Sequence, residues 1–379
     1  MKLVGKPMNL AIVMGLAPRK LGSFERWMLT LCKVARERGH HVDLYGRAPI
    51  HPQVQAELER LGVGWGIVGD LEKSALAGIK TLSKYDAIHL NLFHPRSRIA
   101  QLSYLAWPAK VLFVDRTSGE RSEPTDFRGR IRRVADMFSM LRVHSVAGVS
   151  NYVTDRAKNR YRWGPHHINT IYNGVDTEKF APPERRVPRD ELTVATACWL
   201  RKDKGVDVLL RAFAQTNHER MRLRVIGDGP ELENLQKLSR DLGISSHVTF
   251  EGLRDDVDAV MKESDIFVHP AVWKEAFGLT IAEAMAAENC VIATRAGGIP
   301  EIIEHEKSGL LVTPGSAQEI ADALTRLAAS ASLREQLGKN ARRRVQERFE
   351  VSRCAREHVE WFESAVGAFS APVSSSSAV

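Results

Sequence analysis

Short apolar, β-branched runs alternate with amphipathic stretches along this chain, and they do so in two separate sets. In the first set, residues 10–14, 41–45, 87–90, 111–114 and 145–149 read as strands, with helical patterns such as 25–38 and 54–61 between them. In the second, strands are expected at 192–197, 222–226, 248–250, 266–268, 291–294 and 309–312. A strand that is apolar on both faces must be covered on both. Alternation with helices then implies a parallel sheet between two helical layers. The expected fold class is α/β, with two doubly wound domains facing across a cleft, an architecture that binds ligands at the carboxyl ends of its strands. The break falls at 181–190, Ala-Pro-Pro-Glu-Arg-Arg-Val-Pro-Arg-Asp, where prolines and charges make a poor strand or helix and a good linker. The expected domains are residues 1–180 and 191–350. A helix at 351–368 is expected to return to the first domain, and a disordered serine-rich tail covers 370–379.

Length and composition agree with that division. The 379 residues exceed one ordinary core, and 44% hydrophobic with 26% charged residues is the balance of a water-exposed globular protein. Cys32, Cys198, Cys290 and Cys354 lie far apart, without a CxxC or zinc-type spacing, so buried free thiols are expected. That usage suits a reducing compartment. The opening stretch has two lysines and a short apolar run, but it reads as a first strand, loop and helix, not as a cleaved leader. No run reaches the roughly 18–20 apolar residues a bilayer span requires. A cytoplasmic location is expected, with peripheral contact at the inner membrane surface. Charge is uneven: residues 1–175 carry 27 Lys/Arg against 14 Asp/Glu, the remainder 27 against 32. The basic half should therefore meet something anionic.

The most informative stretch is Trp273-Lys-Glu-Ala-Phe-Gly-Leu-Thr-Ile-Ala-Glu-Ala-Met-Ala-Ala-Glu288. It follows a strand pattern, Asp265 to Pro270, and Gly278 marks the entry to a helix of strong formers. Such an entry offers free N–H groups and a helix dipole to phosphate. Glu283 is embedded among Ile281, Ala282, Ala284, Met285 and Ala286, so its carboxylate is expected to be buried and to need dedicated donors. Vicinal ribose hydroxyls would satisfy it, and so would a structural arginine or a backbone amide. Glu275 taken alone reads as a loop carboxylate.

Glu275 and Glu283, seven residues apart and enclosing Phe277-Gly278-Leu279, resemble the E-x7-E signature of glycosyltransferase family 4, the retaining group 1 enzymes of GT-B fold. The likeness continues through Asn289 to Ile303, Gly309 to Val312, Val225 to Glu231, Phe250 to Leu253 and Asn173 to Phe180. In the first half it is looser, mainly the opening strand–loop–helix and Arg38-Gly-His-His-Val42. This resemblance implies two Rossmann-like domains and a nucleotide-sugar site, UDP being the nucleotide expected from family frequency. Glu283 would hold the ribose, Glu275 the transferred sugar, and the backbone of Phe277, Gly278 and Leu279 the sugar and diphosphate. Lys204 would neutralise the diphosphate, Gly22 would cover it, and Leu253 and Arg254 would line the base. The family places an arginine five residues before that lysine. This chain has Trp199 there, so Arg201 is expected to substitute.

On the acceptor side the resemblance is weaker, and His94 and Arg116 are the candidates. The implied chemistry is front-face transfer with retention, in which the leaving phosphate assists deprotonation of an acceptor hydroxyl on a saccharide, a lipid-linked glycan or a small molecule. No cofactor and no metal is expected, because no convincing Asp-x-Asp motif is present. Two other classes fit the same architecture, a non-hydrolysing nucleotide-sugar epimerase and a non-catalytic nucleotide-sugar-binding subunit. The segment 128–142 interleaves arginines with Ile131, Val134, Met137, Phe138, Met140 and Leu141. It reads either as a helix lying on an anionic membrane or as a core helix with a charged outer face. Nucleic acid is not expected, for want of a binding module or an aromatic stacking pattern.

Overall fold

The protein is described by a computed structural model covering residues 6–119, 127–161, 165, 167–184, 191–216 and 218–367. Most of the expected linker and the whole serine-rich tail lie outside the described residues. The first sheet comprises β1 (Asn9–Met14), β2 (His41–Gly46), β3 (Gly64–Ile67), β4 (Ala87–Asn91), β5 (Lys110–Asp115), β6 (Val143–Gly148) and β7 (His167–Thr170). The second comprises β8 (Leu192–Ala197), β9 (Met221–Ile226), β10 (Val248–Gly252), β11 (Ile266–His269), β12 (Cys290–Thr294) and β13 (Leu310–Val312). Their spatial orders are β3-β2-β1-β4-β5-β6-β7 and β10-β9-β8-β11-β12-β13, with parallel pairing throughout. Helices cover both faces, and Ile12 and Val13, which point to opposite sides of β1, are both fully buried.

In each sheet the winding direction reverses beside one strand, β1 against β4 in the first and β8 against β11 in the second. A reversal splays the outgoing loops apart and opens a crevice at the strands' carboxyl ends. The loops after β1, β8 and β11 are therefore the ones placed to form a site, and they meet between the two halves.

Two chain crossings lie side by side beneath that meeting point. Val175 donates to the Phe349 carbonyl (2.8 Å) and Val351 donates to that of Val175 (3.0 Å). Beyond the second crossing, the helix Val351–Val366 packs on the helix Ser23–Glu37 of the first half. There the buried carboxylate of Glu363 accepts from Arg38 (2.9 and 2.6 Å) and lies 3.0 Å from His40 Nε2, while Trp361 donates to Ser145 (2.8 Å).

The helix Phe127–Ser139 turns the wrong way for a core helix with a charged outer face. Phe127, Ile131, Val134 and Phe138, at successive spacings of four and three, and Leu141 in the turn that follows, are each 47% or more exposed. Its buried side carries Asp136, which accepts from Arg96 and Arg160 at 2.6 Å each. An apolar stripe thus faces outward. Among the described residues no helix is long and apolar enough to cross a membrane. All four cysteines are free. Cys32, Cys290 and Cys354 are buried, but Cys198 is partly exposed and lines the cleft between the halves.

Candidate active site

The second wall of the cleft is built on the segment after β11. Gly278 has φ of +115°, and a side chain there would meet Ile281 at 2.9 Å, so a glycine is required to turn the loop into the helix Leu279–Ala286. Residues 281–286 of that helix are buried, Glu283 included at 4% exposure. Burial raises the Glu283 carboxyl above its ordinary range, and the Ser23 hydroxyl that donates to it, with the charge of Lys179, offsets part of the rise. Ser23 belongs to the opposite wall, at the start of the helix after β1.

Glu275 sits at the far end of the same loop and is 7% exposed. Burial alone would raise its carboxyl too. His269 at 3.6 Å and the Lys204 ammonium, which forms an ion pair with it, instead hold it down at about 2. Lys204 is delivered by a tight turn after β8, which is pinned from the other side by Val272 and Trp273 N–H groups donating to the Asp203 carbonyl (3.0 and 3.2 Å). Gly297, at φ of +62°, lets the Gly297-Gly298 backbone approach closely: a Cβ there would lie 2.2 Å from the Glu275 carbonyl oxygen, which accepts from Gly298 N–H at 2.8 Å.

The first half closes over Glu275. Ser118 Oγ lies 3.4 Å from its carboxylate and accepts from Ala276 N–H (3.2 Å), while Gly119 N–H donates to the Lys274 carbonyl (2.6 Å). Nearby, Ser150 donates to the Ala276 carbonyl (2.6 Å), and Glu301 accepts from the N–H groups of Asn151 and Tyr152 (2.8 Å each) at the start of a first-half helix.

At the Glu283 end, by contrast, a cleft of about 730 Å³ stays open. Its first-half wall runs from Lys20 to Arg26, and its second-half wall carries Trp199, Gly227, Leu253, Arg254, Thr280 and Glu283. Gly22, Leu253 and Arg254 thus line one space with Glu283, and Leu253 is 70% exposed in it. The Gly22 N–H is already engaged by Glu25 (3.1 Å), and Arg254 pairs with Glu251 and Asp256. The Phe277 side chain points away, into the core against Phe349 at 5.5 Å between ring centres, which leaves its backbone for any ligand contact. Leu279 is partly buried against that core.

Arg201 departs from the expectation. Its guanidinium is 59% exposed and turned back to Asp203 (3.0 Å), since the tight turn that delivers Lys204 points Arg201 outward; it does not line the cleft. Trp199, 53% exposed, stands on the cleft wall instead.

His94 and Arg116 lie together, in a separate pocket of about 240 Å³ above β4 and β5, with Asp115, Thr117 and Arg160. Arg116 donates to Asn91 (2.9 Å) and to Asn173, and stacks over Trp27 at 4.3 Å. Burial lowers its guanidinium to about 9, still protonated near neutrality. His94 accepts from Arg96 N–H (3.2 Å) and lies 3.9 Å from Asp136. Sequence reasoning missed Ser23, Ser118, Lys179 and His269. Lys179, inside the stretch Asn173 to Phe180, and His269, inside the strand pattern Asp265 to Pro270, lay in segments that stood out in the sequence, but nothing there marked the residues themselves.

With this geometry in view, comparison with known proteins is decisive as to class. The model of Glycosyltransferase Family 4 matches residues 24–179 and that of Glycosyl transferases group 1 matches residues 178–344. The chain belongs to the group 1 glycosyltransferases of family 4, with the GT-B fold. Over 270 residues it is 32% identical to a D-inositol 3-phosphate glycosyltransferase of Corynebacterium kroppenstedtii, covering 66% of this chain and 58% of that one. Over 219 residues it is 32% identical to a GDP-mannose-dependent alpha-(1-6)-phosphatidylinositol monomannoside mannosyltransferase of Mycobacterium tuberculosis, covering 53% of this chain and 55% of that one. The matched segments thus span little more than half the length of these relatives. In structure the chain is similar to Anabaena HepE, solved with UDP and glucose, at TM-score 0.76 and 21% identity over 94% of this chain and all of that one.

Proposed function

We propose that this chain is a retaining, metal-independent hexosyltransferase that takes its sugar from a nucleotide diphosphate. The observation that carries this reading is the joint placement of two buried glutamates along one interdomain loop. Glu283 opens into the cleft, and Glu275 is paired with Lys204 beneath Ser118. A buried carboxylate whose partner is a single serine hydroxyl suits vicinal ribose hydroxyls, which would replace Ser23 with two donors. An ionised Glu275 beside Lys204 suits a sugar hydroxyl on one side and a departing phosphate on the other. Thr280 and the helix entry at Gly278 lie between them. Neither carboxylate is needed as a nucleophile, and the leaving diphosphate accepts the acceptor's proton.

UDP is the nucleotide we carry forward. GDP is the alternative that the mannosyltransferase relative favours. The acceptor hydroxyl belongs to a saccharide, a lipid-linked glycan or a small molecule, with His94 and Arg116 facing it. A thermal-shift panel of UDP-, GDP- and ADP-sugars tests the donor, because a ligand that binds the folded state raises its apparent stability. Stabilisation by none of them would overturn this reading. Recovery of activity in EDTA-treated protein only on adding manganese would overturn metal independence.

The exposed stripe Phe127, Ile131, Val134, Phe138 and Leu141 on the basic half supports peripheral contact with an anionic membrane surface. Flotation with phosphatidylglycerol vesicles, and not with neutral ones, is the expected result. Equal flotation with neither would dismiss it.

A further inference from the structure

The cations around the cleft are unequally committed. Lys204 is tied to Glu275, Lys179 to Asp258 at 3.5 Å, Arg26 to Asp176 at 3.8 Å, and Arg254 to Glu251 and Asp256 at 2.7 and 2.6 Å. Arg201 is spent on Asp203 outside the cleft. Lys20 lines the same cleft, is exposed, and has no ion-pair partner among the described residues. Its stem lies over Gly22: a Cβ built on that glycine would lie 3.5 Å from Lys20 Cε. The next residue along, Ser23, is the one that reaches Glu283 across the gap. The free ammonium is thereby held on the first-half wall, close to where a ribose on Glu283 would hand on to its phosphates.

An anionic ligand entering here meets Glu25, whose carboxylate accepts, among the described residues, only from the Gly22 N–H, together with Asp255 and Glu283, the last adding negative charge whenever it ionises. Charge balance then calls for an uncommitted cation, and among the described residues that line the cleft Lys20 supplies it. We infer that Lys20 binds the diphosphate of the donor from the first-half wall, and that it compensates for the uncharged Trp199 on the opposite wall. This rests on the donor-site reading above. When the sugar–phosphate bond breaks, the bonding electron pair leaves with the β-phosphate oxygen. The added negative charge falls beside Lys20, which retains its proton throughout.

The test is isothermal titration of the full chain with UDP and GDP, and with uridine and guanosine as uncharged controls. Lys20→Met should weaken diphosphate binding roughly ten- to hundred-fold and leave nucleoside binding unchanged, as loss of one charge-assisted contact predicts. Lys20→Arg should retain most of the affinity. Adding Trp199→Arg to Lys20→Met should restore at least part of it by returning a cation from the other wall. If the unaltered chain binds neither diphosphate, the donor-site reading falls and takes this inference with it. If it binds one of them and Lys20→Met binds it equally well, Lys20 alone is dismissed. Equal weakening of diphosphate and nucleoside would mark Lys20 as a structural support of the loop, and would also overturn the assignment.

Discussion

Glu275 and Glu283 are the same residue type, buried to nearly the same extent on one loop-and-helix segment, yet their surroundings push them in opposite directions. At the Glu275 end, both halves of the molecule converge. Lys204 and His269 come from one side and Ser118 from the other, and the carboxyl is held at about 2. At the Glu283 end the walls stand apart around a cleft, and burial with a lone serine partner raises the carboxyl. The first environment is complete without a ligand. The second leaves an open space beside a carboxylate with a single serine partner. Burial by itself therefore says little about a carboxylate's role; what decides is whether the protein supplies the counter-charge.

Substitution separates the two ends. Glu275→Ala should have the largest effect on turnover, lowering kcat by roughly ten-fold or more, because it leaves Lys204 unopposed and the sugar unheld. Glu283→Ala should instead raise KM for the nucleotide sugar by roughly ten-fold with a smaller change in kcat. Steady-state kinetics with a fixed acceptor checks both, and identical kinetic signatures would erase the distinction.

Stability should divide them as well. Glu275→Gln breaks a buried ion pair and should lower Tm by a few degrees at pH 7, whereas Glu283→Gln removes a charge that burial opposes and should leave Tm unchanged or higher. The pH dependence follows from the two directions. A carboxyl depressed from 4.5 to about 2 contributes stability that is present above pH 4.5 and lost as pH falls toward 2. A raised carboxyl contributes stability that is present below pH 4.5 and lost as pH rises through its folded value. Melting curves between pH 7 and pH 3 should therefore show the Glu275→Gln deficit shrinking on acidification and the Glu283→Gln difference moving the other way. The smallest expected effect belongs to Arg201→Ala. It should change activity by less than about two-fold, since this exposed side chain points to Asp203.

The same contrast explains what the sequence could reveal. Strands such as 10–14, 192–197 and 291–294 are legible because a central parallel strand is apolar on both faces. β3, Gly64–Ile67, and β7, His167–Thr170, lie at the sheet's edges, are partly exposed along their length, and leave no apolar run to read. Glu275 and Glu283 stand out because they share a local segment with characteristic spacing. Ser23 and Ser118 do not, because each meets its glutamate across 260 and 157 residues of chain, and a serine carries no local pattern that foretells a distant partner. Arg201 is suggested by charge and position, but the turn that presents Lys204 faces it toward Asp203 instead of the cleft, an orientation no local pattern foretells.

The helix Val351–Val366 completes the first half from the far end of the chain. Trp361, Phe362, Val359 and Glu363 are buried against elements that begin more than two hundred residues earlier. During synthesis, which runs from the amino end, the first half emerges with that face bare and must wait for nearly the whole second half before it can be covered. The second sheet, whose strands lie between residues 192 and 312, has no such wait. The half that leaves the ribosome first is thus the one finished last, and until then its uncovered face is what a chaperone would encounter.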